Sequence, residues 1–430
     1  MITSKTYCPL PWNHFSVSTE GSMRVCCNSG SHGIILDDDK DAVRVNEIDD
    51  PLIYFNHPQM KNIRSKLIKG ERVPECQNCY QIEDAGGVSI RQTLAEKWPM
   101  NFAMKSTDRS TGELTKAKII YLDLAWSNKC NLKCKMCSPY ASDQLIDESK
   151  KFQLYDISRD IARGPAIWSS EKTIELIRKC TDFDLEDILV TGGEPLINND
   201  FYEFCKFLVA EGKSQHITLA FHSNLTVTPS KWLEIWSKFK QVIIRASIDA
   251  IGKDYEYIRY PGKWNIVEGN IKEIVSFINQ QGNKSNTSIE FHTVLSLFNL
   301  HAIPDLIDFL FTIKESNFVR VMPYTNYIHW PESAKLNLIP LKERKKMIAD
   351  IKMSIEKNKT KITNDKSDRN ISVLLALLDI AEKDIIEKDQ NTVNEILEKI
   401  IEIDRYRGQD TYEYLSWLAD LIPNKYLIKE

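Results

Sequence analysis

Nowhere in the 430 residues is there an apolar run of the length that crosses a bilayer, which takes about 20 residues. No membrane partner is therefore expected. A surplus of positive charge is missing too, since 56 Lys and Arg stand against 60 Asp and Glu, a net charge of -4. Without a basic footprint, nucleic acid is not an expected partner. The segment Met1 to Trp12 has no basic-then-apolar pattern of a secretory signal, so the expected location is cytoplasmic. After Cys205 the chain has no cysteine at all.

Cysteine is concentrated elsewhere. Ten occur, at positions 8, 26, 27, 76, 79, 130, 134, 137, 180 and 205. A large chain without a signal pattern is a poor candidate for a disulfide framework. Clustered thiols in a reducing compartment point to metal or redox chemistry. Cys180 and Cys205 stand alone on apolar helical patterns and read as core residues.

Three segments follow from composition. Residues 1–110 are rich in Cys, Pro, Gly and Asp, and include the solvated run Asp37-Asp38-Asp39. A Ser, Thr, Gly and Lys linker spans 106–116. Residues 111–335 alternate strand and helix patterns, with strands expected at 118–125, 187–190, 216–222, 241–247, 288–294 and 318–322. Six such strands imply parallel pairing, and hence an α/β fold, a partial (β/α)6 barrel. Chemistry in such folds gathers at the C-terminal ends of the strands. Residues 336–430 form a helical C-terminal region, with 3.6-residue spacing over 341–358 and 371–403.

Directly after the first strand come Cys130, Cys134 and Cys137, spaced C-x3-C-x2-C. Three thiolates this close can wrap one face of a cubane. A [4Fe–4S] cluster wants four ligands, and no fourth cysteine follows nearby. One iron would be left open. Zinc is the competing reading, although structural zinc usually shows paired C-x2-C elements and a full set of four.

Later strand ends carry further candidates. The second runs into Thr191-Gly192-Gly193-Glu194-Pro195, where two glycines allow a close backbone approach and Glu194 can accept from an amine. The third ends in Ser223 and Asn224, which read as ligand contacts or turn caps. In the fourth, Arg245, Ser247 and Asp249 alternate and so share one face. An ion pair of Arg245 with Asp249 or Glu194 is the alternative. His292 lies on the fifth strand and reads more simply as a satisfied polar residue than as a substrate contact. A Tyr255, Tyr257 and Tyr260 group with Arg259 and Lys263 reads as a packed loop.

A second cysteine set comprises Cys8, Cys26 or Cys27, and the C-x2-C pair Cys76 and Cys79. Four thiolates suit zinc or an iron–sulfur cluster, and spacing does not choose between them.

The triplet after a first barrel strand, with Met136 just before its last cysteine, resembles the radical S-adenosylmethionine (SAM) superfamily. GGEP at 192–195 is similar to that family's SAM-methionine motif, and Ser247-x-Asp249 to its S-x-D pattern. The resemblance implies SAM on the open iron of a catalytic [4Fe–4S] cluster. It implies reductive cleavage to a 5′-deoxyadenosyl radical, which abstracts a substrate hydrogen atom. It also implies SAM contacts from Met136, Gly192, Gly193, Glu194, Ser223, Asn224, Arg245, Ser247 and Asp249, with Arg245 suiting SAM's carboxylate. The first segment, with Gly21-x4-Cys26 and Pro74-x-Cys76-x2-Cys79, resembles SPASM and Twitch auxiliary modules, although those usually follow the barrel. A second [4Fe–4S] cluster on Cys8, Cys26, Cys76 and Cys79 is what that resemblance implies, Cys26 fitting the spacing better than Cys27. An electron donor such as a flavodoxin or ferredoxin is implied as partner. The favoured substrate is a peptide or protein side chain, although no winged-helix peptide-binding domain is visible. Oxidation or rearrangement of a sugar or other small molecule is the alternative, and a non-catalytic zinc or iron–sulfur protein is a third reading.

Overall fold

Along Gln241–Ser247 every second residue, Val242, Ile244 and Ala246, is apolar and buried, while Ile243, Arg245 and Ser247 between them are half-buried. Such alternation makes a strand with one face closed by apolar packing and the other left polar. The same pattern recurs at Thr287–Leu295, where Phe291, Thr293 and Leu295 are buried and Glu290, His292 and Val294 are half-buried. A computed structural model of the chain describes residues 4–84, 86–154, 170–179, 185–328, 330–361, 365–383 and 390–422. Contacts divide the chain into two compact units that interleave along the sequence.

The first unit comprises Met1–Lys129, Arg159–Phe221 and Ile235–Val242. Its strands are β1 (His14–Val17), β2 (Met23–Arg24), β3 (Tyr121–Ala125), β4 (Asp187–Thr191) and the start of β5 (Thr218–Ser223), hydrogen-bonded in the order β2-β1-β3-β4-β5. β1 runs antiparallel to β2 and parallel to β3, and β4 is parallel to both β3 and β5. The cysteine-rich segment thus extends the sheet edge, which its short apolar runs did not announce. Helix α1 (Pro58–Lys69) stops at Gly70, whose φ of 81° is left-handed, a conformation that favours glycine. The Arg64 guanidinium on α1 is fully buried and donates to the carbonyls of Gly112, Pro11 and Phe55 at 2.6, 3.0 and 2.6 Å. Helix α2 (Asn199–Ala210) buries Phe201, Phe204, Cys205 and Leu208, and Trp126 packs on Phe204 with ring centres 5.3 Å apart.

The second unit comprises Cys130–Ser158, His222–Glu234 and Ile243–Glu430. Strands β5 and β6 (Gln241–Ser247) each begin in the first unit and end in the second. Here the order is β6-β7-β8, with β7 at Thr287–Leu295 and β8 at Val319–Tyr327. β7 and β8 are parallel, with a register shift between Glu290 and His292. β8 runs past the expected Met322 because its outer half keeps pairing with β7 as far as Tyr327. Between strands lie α3 (Gly252–Ile258), α4 (Trp264–Gln281) and α5 (Ile303–Leu310). The C-terminal region gives α6 (Leu341–Asn358), α7 (Asp365–Lys383) and α8 (Gln390–Tyr406), so the periodicity read over 371–403 belongs to two helices. α6 packs on α5, and α7 on β8. The core position read for Cys205 is met at 0% exposure; Cys180 lies outside the described residues. Among the described residues no helix is long and apolar enough to cross a membrane.

Candidate functional site

In the second unit, Cys130 opens a non-regular loop whose backbone N–H groups are tied at four of the eight positions from 130 to 137. The Cys130 N–H donates to Asp143 Oδ1 at 3.0 Å, Lys133 N–H to Tyr260 O at 2.6 Å, Lys135 N–H to Ile258 O at 2.9 Å and Cys137 N–H to Cys134 O at 3.0 Å. Ser142 Oγ donates to Leu132 O at 2.6 Å, and Leu132 is buried beneath the loop. The three cysteines and Met136 are half-buried, and none of the three thiols is in a disulfide.

Burial pushes the Cys134 thiol up, with Arg259 pulling the other way. Burial also pushes Cys137 up to about 12, with Cys134 adding to it. Thiolates are disfavoured here until a cation supplies the missing charge, as a bound metal does. Three soft donors on a fixed backbone therefore fit an iron–sulfur cluster. Among the described residues no three His, Cys, Asp or Glu donors converge as they would on a single ion. A cubane does not require that, because its cysteines bind different irons.

Two residues inside the loop are held from the C-terminal region. Lys135 is buried, pairs with Asp404, and places its ammonium 4.0 Å from the centre of the Tyr257 ring. Tyr257 Oη and Thr411 Oγ1 each donate to Asp404 Oδ2 at 2.8 Å. Arg407 donates from Nη1 to the Lys133 carbonyl at 2.8 Å and pairs with buried Glu148 at 2.5 Å. Cys134, Cys137, Lys135, Phe298, Ile400, Ile403, Asp404 and Arg407 line a cavity of about 40 Å³. Of the tyrosine group, Tyr255 and Tyr257 stand on α3 and not on a loop, 0% and 1% exposed, while Tyr260 is half-buried.

Asn224 approaches the triplet within the same unit, with Nδ2 4.0 Å from Cys130 Sγ and 3.0 Å from Asn131 Oδ1. Its Oδ1 accepts from Thr226 N–H at 3.0 Å, and Ser223 Oγ accepts from Leu225 N–H at 3.0 Å. Both residues thus shape the turn at Leu225, whose φ is 54°. Asp249 does not pair with Arg245. It takes a salt bridge of 2.5 Å from Arg259, and its Oδ1 accepts from Val294 N–H at 3.0 Å. Arg245 instead puts Nη1 3.4 Å from His222 Nε2. Ser247 sits two residues on, half-buried.

Within the first unit, the GGEP turn is a close backbone crossing. Gly193 N–H donates to Ser127 O and Glu194 N–H to Lys129 O, each at 2.9 Å. A Cβ on Gly193 would lie 1.9 Å from Lys129 O, and one on Gly192, at φ 104°, would lie 2.6 Å from Ser127 O. The glycines therefore admit the chain that leads into Cys130. Glu194 is 2% exposed, and its Oε1 accepts from Leu196 N–H at 3.0 Å.

The same unit gathers Cys8, Cys26, Cys76 and Cys79. Burial raises the Cys8 thiol well above its usual range, and Cys76, Cys26 and Cys79 each add to that. Cys76 is pushed up to about 12 by burial, then by Cys26 and Cys79. Cys26 is pushed up to about 11, first by burial. Asn28 Nδ2 lies 3.5 Å from Cys79 Sγ. Cys27 is exposed as a residue, but its sulfur is desolvated and turned to buried Asp123. Cys26, and not Cys27, is coupled electrostatically to Cys8, Cys76 and Cys79. No three of these thiols converge as they would on a single ion, which fits donors spread over a cluster's irons better than one zinc.

Residues 124–310 match the family model described as the Radical SAM superfamily. That span, under half of the chain, carries a radical SAM domain, and the parallel strands with intervening helices are consistent with a radical SAM partial barrel. It is 26% identical to GTP 3′,8-cyclase of Campylobacter lari over 194 residues, 44% of this chain and 52% of the relative. To the GTP 3′,8-cyclase of Clostridium perfringens it is 24% identical over 209 residues, 48% of this chain and 56% of the relative. The chain thus spans about half the length of the curated relatives it matches. Among solved structures, SuiB of Streptococcus suis aligns with a TM-score of 0.38 and 13% identity, over 80% of this chain and 68% of that one.

Proposed function

We propose that this chain is a radical SAM enzyme that abstracts a hydrogen atom from a peptide or protein side chain, with an auxiliary iron–sulfur cluster assisting the oxidation. One observation carries the reading: the C-x3-C-x2-C loop, half-buried and fixed by its own backbone bonds, within the span that matches the superfamily. Cys130, Cys134 and Cys137 would hold a [4Fe–4S] cluster. With SAM bound there, the chemistry supplied is one-electron reductive cleavage to a 5′-deoxyadenosyl radical. Met136, Gly192, Gly193, Glu194, Ser223, Asn224 and Ser247 are the proposed SAM contacts. The commitment of Asp249 to Arg259 and Val294 supports a structural role for that residue. Cys8, Cys26, Cys76 and Cys79 would hold the second cluster, which would accept the electron left on the substrate after hydrogen and proton loss. A flavodoxin- or ferredoxin-class protein would supply the priming electron.

The GTP 3′,8-cyclase relatives favour a second reading, radical rearrangement of a nucleotide or another small molecule. Anaerobic reconstitution with iron and sulfide, then SAM and dithionite, tests the core of both. About eight irons per chain are expected for two four-iron clusters, and about four for the catalytic one alone. 5′-Deoxyadenosine should form with the wild-type protein and not with Cys134→Ala. Normal SAM cleavage by Cys134→Ala would sink the assignment.

A further inference from the structure

The polar face of β6, β7 and β8 carries more charge chemistry than a SAM contact needs. On it Arg245 Nη1 lies 3.4 Å from His222 Nε2, and the His222 and His292 rings meet edge to face at 5.1 Å. His292 Nε2 is 3.5 Å from Glu290 Oε2, Arg320 pairs with the same carboxylate, and the Tyr324 ring lies 5.1 Å from that of His292. A structural polar cluster closes its own bonds. This one does not, because Arg245 Nε and Arg320 Nε are buried without a hydrogen-bond partner, and His292 Nε2 has only its 3.5 Å ion contact with Glu290 and no hydrogen bond. Nor does its charge close, since two guanidiniums face one carboxylate. Burial, and then Arg245, push His292 down to about 3. His222 is likewise pushed down to about 3 by burial, then His292 and Arg245. Both rings are neutral near pH 7 and add donors without charge.

We propose that Arg245 and Arg320, with His222 and His292, form the seat for a single carboxylate of the substrate. The inference rests on the radical SAM reading above and names its substrate class: a peptide presenting a carboxylate beside the reacting position. A guanidinium fork matches a planar carboxylate with two parallel N–H bonds. One uncompensated positive charge balances a monoanion. A phosphate dianion would leave excess negative charge beside Glu290. His222, Arg245 and His292 lie in the C-terminal halves of their strands, where α/β folds bind ligands, while Arg320 comes from the second residue of β8. Ser247 stands on the same face, two residues beyond Arg245. This assigns Arg245 to the substrate and not to SAM's carboxylate.

The test uses the full-length reconstituted protein with ¹³Cε1-labelled histidine, the two resonances assigned with His222→Gln and His292→Gln. Acetate and inorganic phosphate are titrated at constant ionic strength. Acetate should move both resonances saturably and phosphate should not, and Arg245→Gln and Arg320→Gln should each weaken acetate binding at least about tenfold, the order set by losing one charged bidentate contact. Arg245→Lys and Arg320→Lys, which keep the charge but lose the fork, should fall between and serve if a Gln variant does not fold. N-acetylglutamate amide and N-acetylglycine then separate a side-chain carboxylate from a chain-terminal one; binding of either supports the seat and binding of neither overturns it. The proposal is also overturned if phosphate binds more tightly than acetate or if neither moves the resonances. Loss of SAM binding in Arg245→Gln with acetate binding intact overturns it as well. Wild-type 5′-deoxyadenosine formation is scored separately, so its absence rejects the radical SAM reading while acetate still judges the seat.

Discussion

Replacing Arg407 by Met should loosen the cysteine loop from a distance of 270 residues in sequence, and the size of the effect follows from the contacts. The guanidinium is 4% exposed and Glu148 1%. Nε lies 3.2 Å from both Glu148 oxygens, Nη2 2.5 Å from Oε2, and Nη1 2.8 Å from the Lys133 carbonyl between Cys130 and Cys134. Breaking a buried ion pair by removing one partner costs about 3–5 kcal/mol. Lys133 Nζ, 3.3 Å from Glu148 Oε1 and 26% exposed, remains to compensate part of the stranded charge. A retained charged hydrogen bond recovers roughly 1.5–3 kcal/mol, so the net loss should be about 2 kcal/mol. Hydrogen exchange on the reconstituted, anaerobic protein reads this locally. Amides over 130–137 should exchange about 30-fold faster, the factor that about 2 kcal/mol sets. In the double variant with Glu148→Gln the loss should be smaller than the sum of the singles, by about 1–2 kcal/mol of coupling. Wild-type exchange over 130–137, with any change confined to α8, would refute the idea that the C-terminal region holds the loop.

Other outcomes follow from the same geometry. Gly193→Ala should cost at least about 3 kcal/mol, beyond ordinary overpacking, because its Cβ meets the Lys129 carbonyl and not a side chain; a near-wild-type melting temperature would contradict that. Cys26→Ser should lower the iron content by about four per chain while Cys27→Ser keeps it, and the reverse result would move the ligand to Cys27. Fully buried His14 has its pKa pushed down to about 4 by burial, against the bond its Nδ1 donates to Val25 O at 3.4 Å. The unfolded chain titrates near 6.5 and so binds the proton first. Stability is then complete above about pH 6.5 and lost as the pH falls towards 4, by about 2 kcal/mol at pH 5. Urea midpoints should show that acid limb in the wild type and a shallower one in His14→Gln.

What could be read from sequence was what repeats locally. Short apolar runs between helical patterns located β4, β6 and β7 within a residue, and β6 and β7 also alternate, each burying one face. The cysteine triplet and the GGEP turn were legible for the same reason, since their chemistry is written in adjacent residues. β1 and β2 were not, because β1 is four residues long, buried at every position and without alternation. A glycine signals close approach but not what approaches, and at Gly193 the Ser127–Lys129 backbone does. Pairing partners were the least accessible. Arg245 was visible as a charge on a strand face, yet its neighbours His222, His292, Glu290 and Arg320 come from three other strands, and register across strands is set by the fold. Glu290-x-His292 did carry a signal, two ionisable groups on one side of a buried strand, and strands rarely bear such a row without a use for it. Lys133 and Lys135 look like ordinary surface lysines between ligands. Only the return of the chain at Asp404 and Arg407 turns them inward, and this makes the C-terminal helices, which carry no motif, part of what holds the proposed cluster in place.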